Sequence, residues 1–207
     1  MGRPATRHEE RKSQIIEAAL EVFAQKGYDG TTNRSIAQAA GLNSAALIYH
    51  YFPSKEELFK ACLERITALE EMRRELEGGQ EKPPEVYLKR AGMSYLTTLS
   101  QGHVSRLALM IFSAAQSHPE LLPIVMGRLS EVIIFPLIKY FTRQMEEGRL
   151  RSIPPLSAAQ LFMGPLLLRA IASNLLEDSL PFVIPDDEEF IDSHLKVFMS
   201  GLRRTVD

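Results

Sequence analysis

Between positions 31 and 55 the chain gathers side chains suited to gripping an anion and reading polar edges. Thr31 and Thr32 bring hydroxyls, Asn43 and Ser44 short polar groups, and Tyr49, His50 and Tyr51 rings with polar tips, while Arg34 and Lys55 bring charge. Such groups hold phosphates and hydrogen-bond base edges. The rest of the chain offers little competing chemistry. The five histidines (8, 50, 103, 118 and 194) show no H-x-x-x-H spacing, and no G-x-S-x-G or phosphate-loop motif occurs. Cys62 is the single cysteine. That excludes an internal disulfide and a Cys-based zinc site, and fits a reducing compartment. Cys62 lies on the inward stripe of a helix and reads as a core thiol rather than a nucleophile. No metal, no cofactor and no enzymatic activity are expected.

The elements that must position these residues are helical, and strand patterning is missing. A first helix over 7–26 carries the stripe Ile16, Leu20, Phe23, with Thr6 and Glu9 as a capping box and Gly27 as its end. Thr31 and Thr32 cap a short helix over 33–40, which Gly41 breaks. A second short helix spans 44–51, and Pro53 stops it. Ser54 to Glu57 is an S-x-x-E box opening a long helix over 54–77, striped inward by Leu58, Cys62, Ile66 and Leu69. Two glycines and two prolines in 78–84 read as a loop. Further helices are expected near 85–101, 104–116, 119–147, 157–177 and 187–204, with Pro136 kinking or dividing the third. Ser157…Gln160 and Asp186…Glu189 supply capping signals for the last two. The fold class is therefore all-α, with about nine helices.

The 207 residues are 45% hydrophobic and 24% charged, with a net charge of −2. This excludes a disordered chain, and 12 glycines and 12 prolines without a period exclude a collagen-like one. Residues 1–60 carry net +1 and the remainder net −3, so a nucleic-acid role must come from a local basic face. The N-terminus lacks an apolar signal core. The densest apolar stretch, Leu161 to Leu176, is broken by Pro165, Arg169 and Asn174 and is too short to span a bilayer. A cytoplasmic protein with no membrane partner is expected.

Residues 31–52, TTNRSIAQAAGLNSAALIYHYF, suit a helix-turn-helix, whose second helix enters the DNA major groove. Ile36, Ala37 and Ala40 can pack against Leu42 and against either Leu47 or Ile48. The run from Gly27-Tyr28 through the threonine pair and S-I-A-x-A-A-G-L to IYHYFPSKEELF strongly resembles the TetR family of bacterial transcriptional repressors. The resemblance covers about residues 8–62. It implies a DNA-binding domain over 1–53 and an effector-binding and dimerisation domain over 54–207, joined by helix 54–77. It also implies roles residue by residue. Thr32 would cap helix 2 and touch a phosphate, Arg34 would face DNA, and Asn43, Ser44, Ala45 and Ala46 would present the recognition surface. Tyr49 and His50 would bond phosphates, and Lys55 another. The segment 43–48 holds one residue more than the family's usual spacing, so alignment from Gly41 and from Phe52 disagree for Ala45, Ala46 and Leu47. Arg3, on a short arm, would enter a minor groove.

The second half is less specific. His118-Pro119-Glu120-Leu121, Glu147-Gly148-Arg149-Leu150 and Ala158 to Phe162 resemble segments of multidrug-responsive TetR effector domains. Such a domain implies a mostly apolar pocket for a small-molecule effector, with Tyr95, Leu99, His103, Leu107, Met110, Phe112, Phe135, Phe162 and Met163 as candidate lining. Arg169, in an apolar run, has three openings: an acidic effector, an acid across a dimer, or water. The last two long helices would form a homodimer interface through Leu161, Gly164, Leu168, Phe190, His194, Val197 and Phe198. A two-fold dimer then calls for an inverted-repeat operator.

Overall fold

The computed structural model describes residues 4–101, 104, 107, 110, 111, 117–173 and 183–203, with side chains from Arg7 onward. Arg3, His103, Arg106 and Phe112 lie outside the described residues, as does most of the expected helix 104–116. Among the described residues the fold is helical; the one β-type pairing is an isolated bridge between Leu150 and Arg203. The chain forms two compact units, residues 1–66 with 102–128, and residues 67–101 with 129–207.

In the first unit, α1 spans Pro4–Gly30. Thr6, expected at its N-terminal cap, falls inside the helix. Gly27 adopts φ +71° and kinks the helix before one further turn. Thr31 Oγ1 donates to the freed Gly27 carbonyl at 2.6 Å. Helix α2 (Asn33–Ala39) is capped by Thr32, which exchanges bonds with Ser35 in a full capping box. Gly41, at φ +62°, turns the chain. Helix α3 covers Ala46–Tyr51, two residues later than its sequence pattern suggested, with Ala45 as an N-cap that makes no side-chain bond. Ser44 Oγ accepts from the Ala46 amide instead, a local turn that competes with helix. Helix α4 (Lys55–Arg65) opens at Ser54, whose hydroxyl accepts from the Glu57 amide.

The expected long helix 54–77 is two helices. Ile66 leaves helical geometry at ψ 102°, and α5 begins at Thr67 and runs to Gly78. No glycine or proline announces this break. Ile66 and Thr67 are adjacent β-branched residues, the weakest helix formers of the stretch. Buried Ile15, Ala19, Phe23, Ile36, Ile48, Leu58, Phe59 and Cys62 form the unit's core. Cys62 is the inert core thiol expected, donating to the Ile16 carbonyl at 3.6 Å, and burial pushes its pKa up.

In the second unit, α6 (Pro84–Ser100) follows the loop. The Tyr87 and Tyr140 rings stack at 3.7 Å. Their hydroxyls donate to the carbonyls of Leu76 and Lys82, pinning both ends of the loop. Helix 121–146 runs as α7 (Leu121–Leu129), whose residues 121–128 belong to the first unit, a π turn (Ser130–Ile134) and α8 (Phe135–Glu146). The α-helical run is thus divided by a π turn immediately ahead of Pro136, the residue expected to kink or divide it. The wide turn ahead of Pro136 accommodates its missing N–H and the clash with the preceding turn. This helix is long and apolar enough to cross a membrane by length and composition. Val132, Ile133, Leu137, Tyr140, Phe141 and Gln144 nonetheless sit in the protein core.

Helix α9 spans Pro155–Ile171 and starts two residues before Ser157, on a proline rather than on that serine. Helix α10 spans Asp187–Leu202, with Asp186 accepting from the Glu189 amide. The two meet α6 where a Cβ on Gly92 would stand 2.4 Å from Ile191 Cδ1, so any larger residue there requires the end of the Ile191 side chain to shift. Arg169 finds a partner that the sequence did not suggest. It donates to Asp187 at 2.9 Å, within its own chain, with Phe190 under the guanidinium at 5.7 Å.

Candidate nucleic-acid interface

The helix-turn-helix is held from behind. The Leu42 amide donates to the Ala37 carbonyl at 2.8 Å. Gln14 reaches from α1 to donate to the Ala40 carbonyl at 2.7 Å. Ile48 and Phe52, one turn apart, are both buried, which decides between the two packing choices: Ile48 faces in and Leu47 faces out. Residues 42–45 are non-helical, and α3 begins directly after them.

The outward face is then defined. Thr32, Arg34, Asn43, Ser44, Ala46, Leu47, Tyr49 and His50 are exposed, and Ala45 is half-buried. Tyr49 is 64% exposed. Two members were not legible from the sequence alone. Leu47 is 36% exposed among polar neighbours, where an apolar side chain suits a thymine methyl. His8, at the start of α1, meets the Tyr51 ring at 4.6 Å and the His50 ring at 6.3 Å. Only the tertiary fold joins it to that cluster.

Lys55 opens α4 with Nζ 4.2 Å above the Tyr28 ring. Desolvation lowers its pKa, opposed by the charges of Asp29 and Glu56. Glu56 is held below the usual carboxylate range by its own backbone amide, by Ser54 and by the Tyr28 hydroxyl. Burial pushes Tyr28 up, so the phenol stays a donor.

The other candidates fall in both units. Tyr95, Leu99, Phe135, Phe162 and Met163 belong to the second unit and Leu107 and Met110 to the first. Burial pushes the Tyr95 phenol up to about 12. Phe162 is fully buried, while Phe135 is 59% exposed. Among the residues expected at a dimer interface, Leu161, Gly164, Leu168 and Val197 are exposed, and Phe190, His194 and Phe198 are half-buried. His194 Nε2 lies 3.0 Å from the Phe162 carbonyl. Among the described residues no group of three His, Cys, Asp or Glu is placed to hold a metal.

A short helix presented outward from a braced turn, beside a threonine-capped helix N-terminus, defines a helix-turn-helix DNA-binding protein. Comparison with known sequences agrees. The profile of bacterial regulatory proteins of the tetR family matches residues 15–62. The profile of the AefR-like transcriptional repressor C-terminal domain matches residues 87–200. The chain belongs to the TetR family, which is regulatory rather than enzymatic.

The regulator RutR of Escherichia coli K12 is 46% identical over 56 residues, 27% of this chain and 26% of that one. IcaR of Staphylococcus epidermidis, a negative regulator of a biofilm operon, is 42% identical over 53 residues, 26% of this chain and 28% of that one. The chain thus spans about a quarter of the length of these curated relatives. A TetR-family regulator from Mesorhizobium loti shares the fold at TM-score 0.78 and 22% identity, over 95% of this chain and 98% of that one. Bacillus subtilis FadR, solved with stearoyl-CoA, does so at 0.71 and 22%, over 91% and 98%.

Two substitutions separate the roles on this face. Tyr49→Phe is expected to weaken binding to every duplex alike, by about tenfold or more, as loss of one hydrogen bond to a charged oxygen does. Leu47→Ala is expected to cost roughly 1 kcal/mol only on duplexes with thymine beneath it, on the scale of one or two buried methylenes. Anisotropy titrations against paired duplexes check both. Equal losses for the two variants on all sequences would refute the division.

Proposed function

We propose that the chain is a homodimeric repressor that holds a palindromic operator through residues 1–53. Residues 54–207 bind a small, mostly apolar effector that releases it. The observation carrying this reading is the outward face of α3, fixed in register by buried Ile48 and Phe52. Thr32, Tyr49, His50 and Lys55 are assigned to phosphates, Arg34 to the DNA-facing side of α2, and Asn43, Ser44, Ala45, Ala46 and Leu47 to base edges. Arg3 is assigned to a minor groove. The apolar effector is supported by the candidate lining and by the acyl ligand of the similarly folded FadR. Dimerisation is supported by Leu161 and Leu168, 61% and 67% exposed on α9, and Val197, 73% exposed on α10. Large apolar side chains left this exposed on two helices suit burial against a second copy. Operator binding assigns the protein to the cytoplasm.

Selection from a random duplex library tests the reading. An enriched inverted repeat supports it. Binding with no enriched site and a steep salt slope marks sequence-independent DNA packaging instead.

A further inference from the structure

Where α1 ends and α4 begins, inside the first unit, acids surround Lys55, yet none among the described residues lies within ion-pair distance of it. Each is engaged elsewhere. Glu56 accepts from the Tyr28 hydroxyl at 2.9 Å. Asp29 and Glu120 both belong to His118: Nε2 lies 2.5 Å from Asp29 Oδ1, and Nδ1 2.9 Å from Glu120 Oε1. The His118 ring sits edge-on to Tyr28, centroids 4.8 Å apart, and Lys55 Nζ lies over that same tyrosine. Tyr28 is itself buried against Phe23 and Phe59. One fixed ring therefore contacts both cationic side chains.

Carboxylates only accept, so the ring satisfies a carboxylate at each nitrogen only as the imidazolium, which donates from both. We propose that His118 is a positioning residue for phosphate binding: its imidazolium occupies Asp29 and Glu120, leaving the Lys55 ammonium for a DNA phosphate. This rests on the reading of Lys55 as a phosphate contact. A neutral ring donates to one carboxylate at most. The other then faces a lone pair, and freed Asp29 both draws Lys55 and repels the phosphate.

The hydrogen bonds to Glu120 and Asp29 raise the His118 pKa above 6.5. The arrangement is thus fully present below 6.5 and is lost as pH rises through the raised value. The groups facing the His118 ring among the described residues are Tyr28, Asp29 and Glu120, with Lys55 and Glu56 against that same tyrosine. Residues 117–120 lead directly into helix 121–146, so a shift of that segment off Tyr28 has the same effect as loss of the proton.

The test is operator affinity of the full-length protein by anisotropy from about pH 6 to pH 9, the range in which an imidazole changes charge. The probe is a duplex carrying the selected inverted repeat. His118→Gln is expected to bind about fivefold more weakly than the parent at the acid end, the scale of one exposed charge pair, and equally at the alkaline end. His8 and His50 are present in both proteins and cancel in the ratio. His118→Lys, a permanent cation with three donors, is expected to keep the parent's acid-side affinity throughout and also guards against a folding defect in the glutamine variant. Lys55→Gln is expected to abolish the difference between parent and His118→Gln. A ratio that stays flat with pH, or a lysine variant behaving as the glutamine variant, overturns the proposal. If Lys55→Gln alone leaves affinity and salt slope unchanged, the phosphate role of Lys55 falls first and the proposal with it.

Discussion

Replacing Leu161 and Leu168 together by glutamate is expected to lower operator affinity by at least about a hundredfold, because a tethered second half-site is worth roughly 10²–10⁴ in avidity. The two leucines lie two turns apart on α9 with Gly164 between them, and all three are exposed. Each glutamate would be buried unpaired against its counterpart in a two-fold interface, at about 2–5 kcal/mol apiece. The residues lie far in sequence from the helix-turn-helix, so a monomer should keep a folded α1–α4 and weak binding to a half-site. Sedimentation equilibrium and anisotropy on the same samples check this. A variant that remains dimeric, or a monomer with undiminished affinity, would remove α9 from the interface.

Phe59→Ala has the largest expected effect on stability. Phe59 is fully buried, with Phe23 at 5.3 Å and Tyr28 at 5.7 Å, both edge-to-face. Deleting such a ring costs about 3–5 kcal/mol, a large part of the 5–15 kcal/mol typical of a whole domain. The damage should reach function, because Tyr28 is the seat of Lys55. Denaturant unfolding followed by circular dichroism measures it. A loss below about 1 kcal/mol would show that this aromatic cluster does not hold the first unit together.

Much of the helix-turn-helix was legible because its determinants are local. Thr32, Gly41, Pro53 and Ser54 act on backbone within a few residues, and each acts where its type requires. What the sequence hid was non-local or stored in weak preferences. Ser44 reads as a helix start, yet its hydroxyl bonds the Ala46 amide and delays the helix. The break at Ile66 has no punctuating residue. Pro136 signals a kink, but the π turn before it was invisible because no side chain encodes one. Arg169 and Asp187 are 18 positions apart, and His118 and Asp29 are 89. Such pairs are found only once the helices are packed.

Specific, two-fold recognition of DNA is tested most directly by anisotropy of the purified protein against duplexes flanking its own gene, with excess non-specific competitor at near-physiological salt. The expected result is tight binding at an inverted repeat, with two protomers per duplex and a steep loss of affinity when one half-site is scrambled. Binding that the competitor abolishes on every duplex, or that survives scrambling of a half-site unchanged, would contradict it.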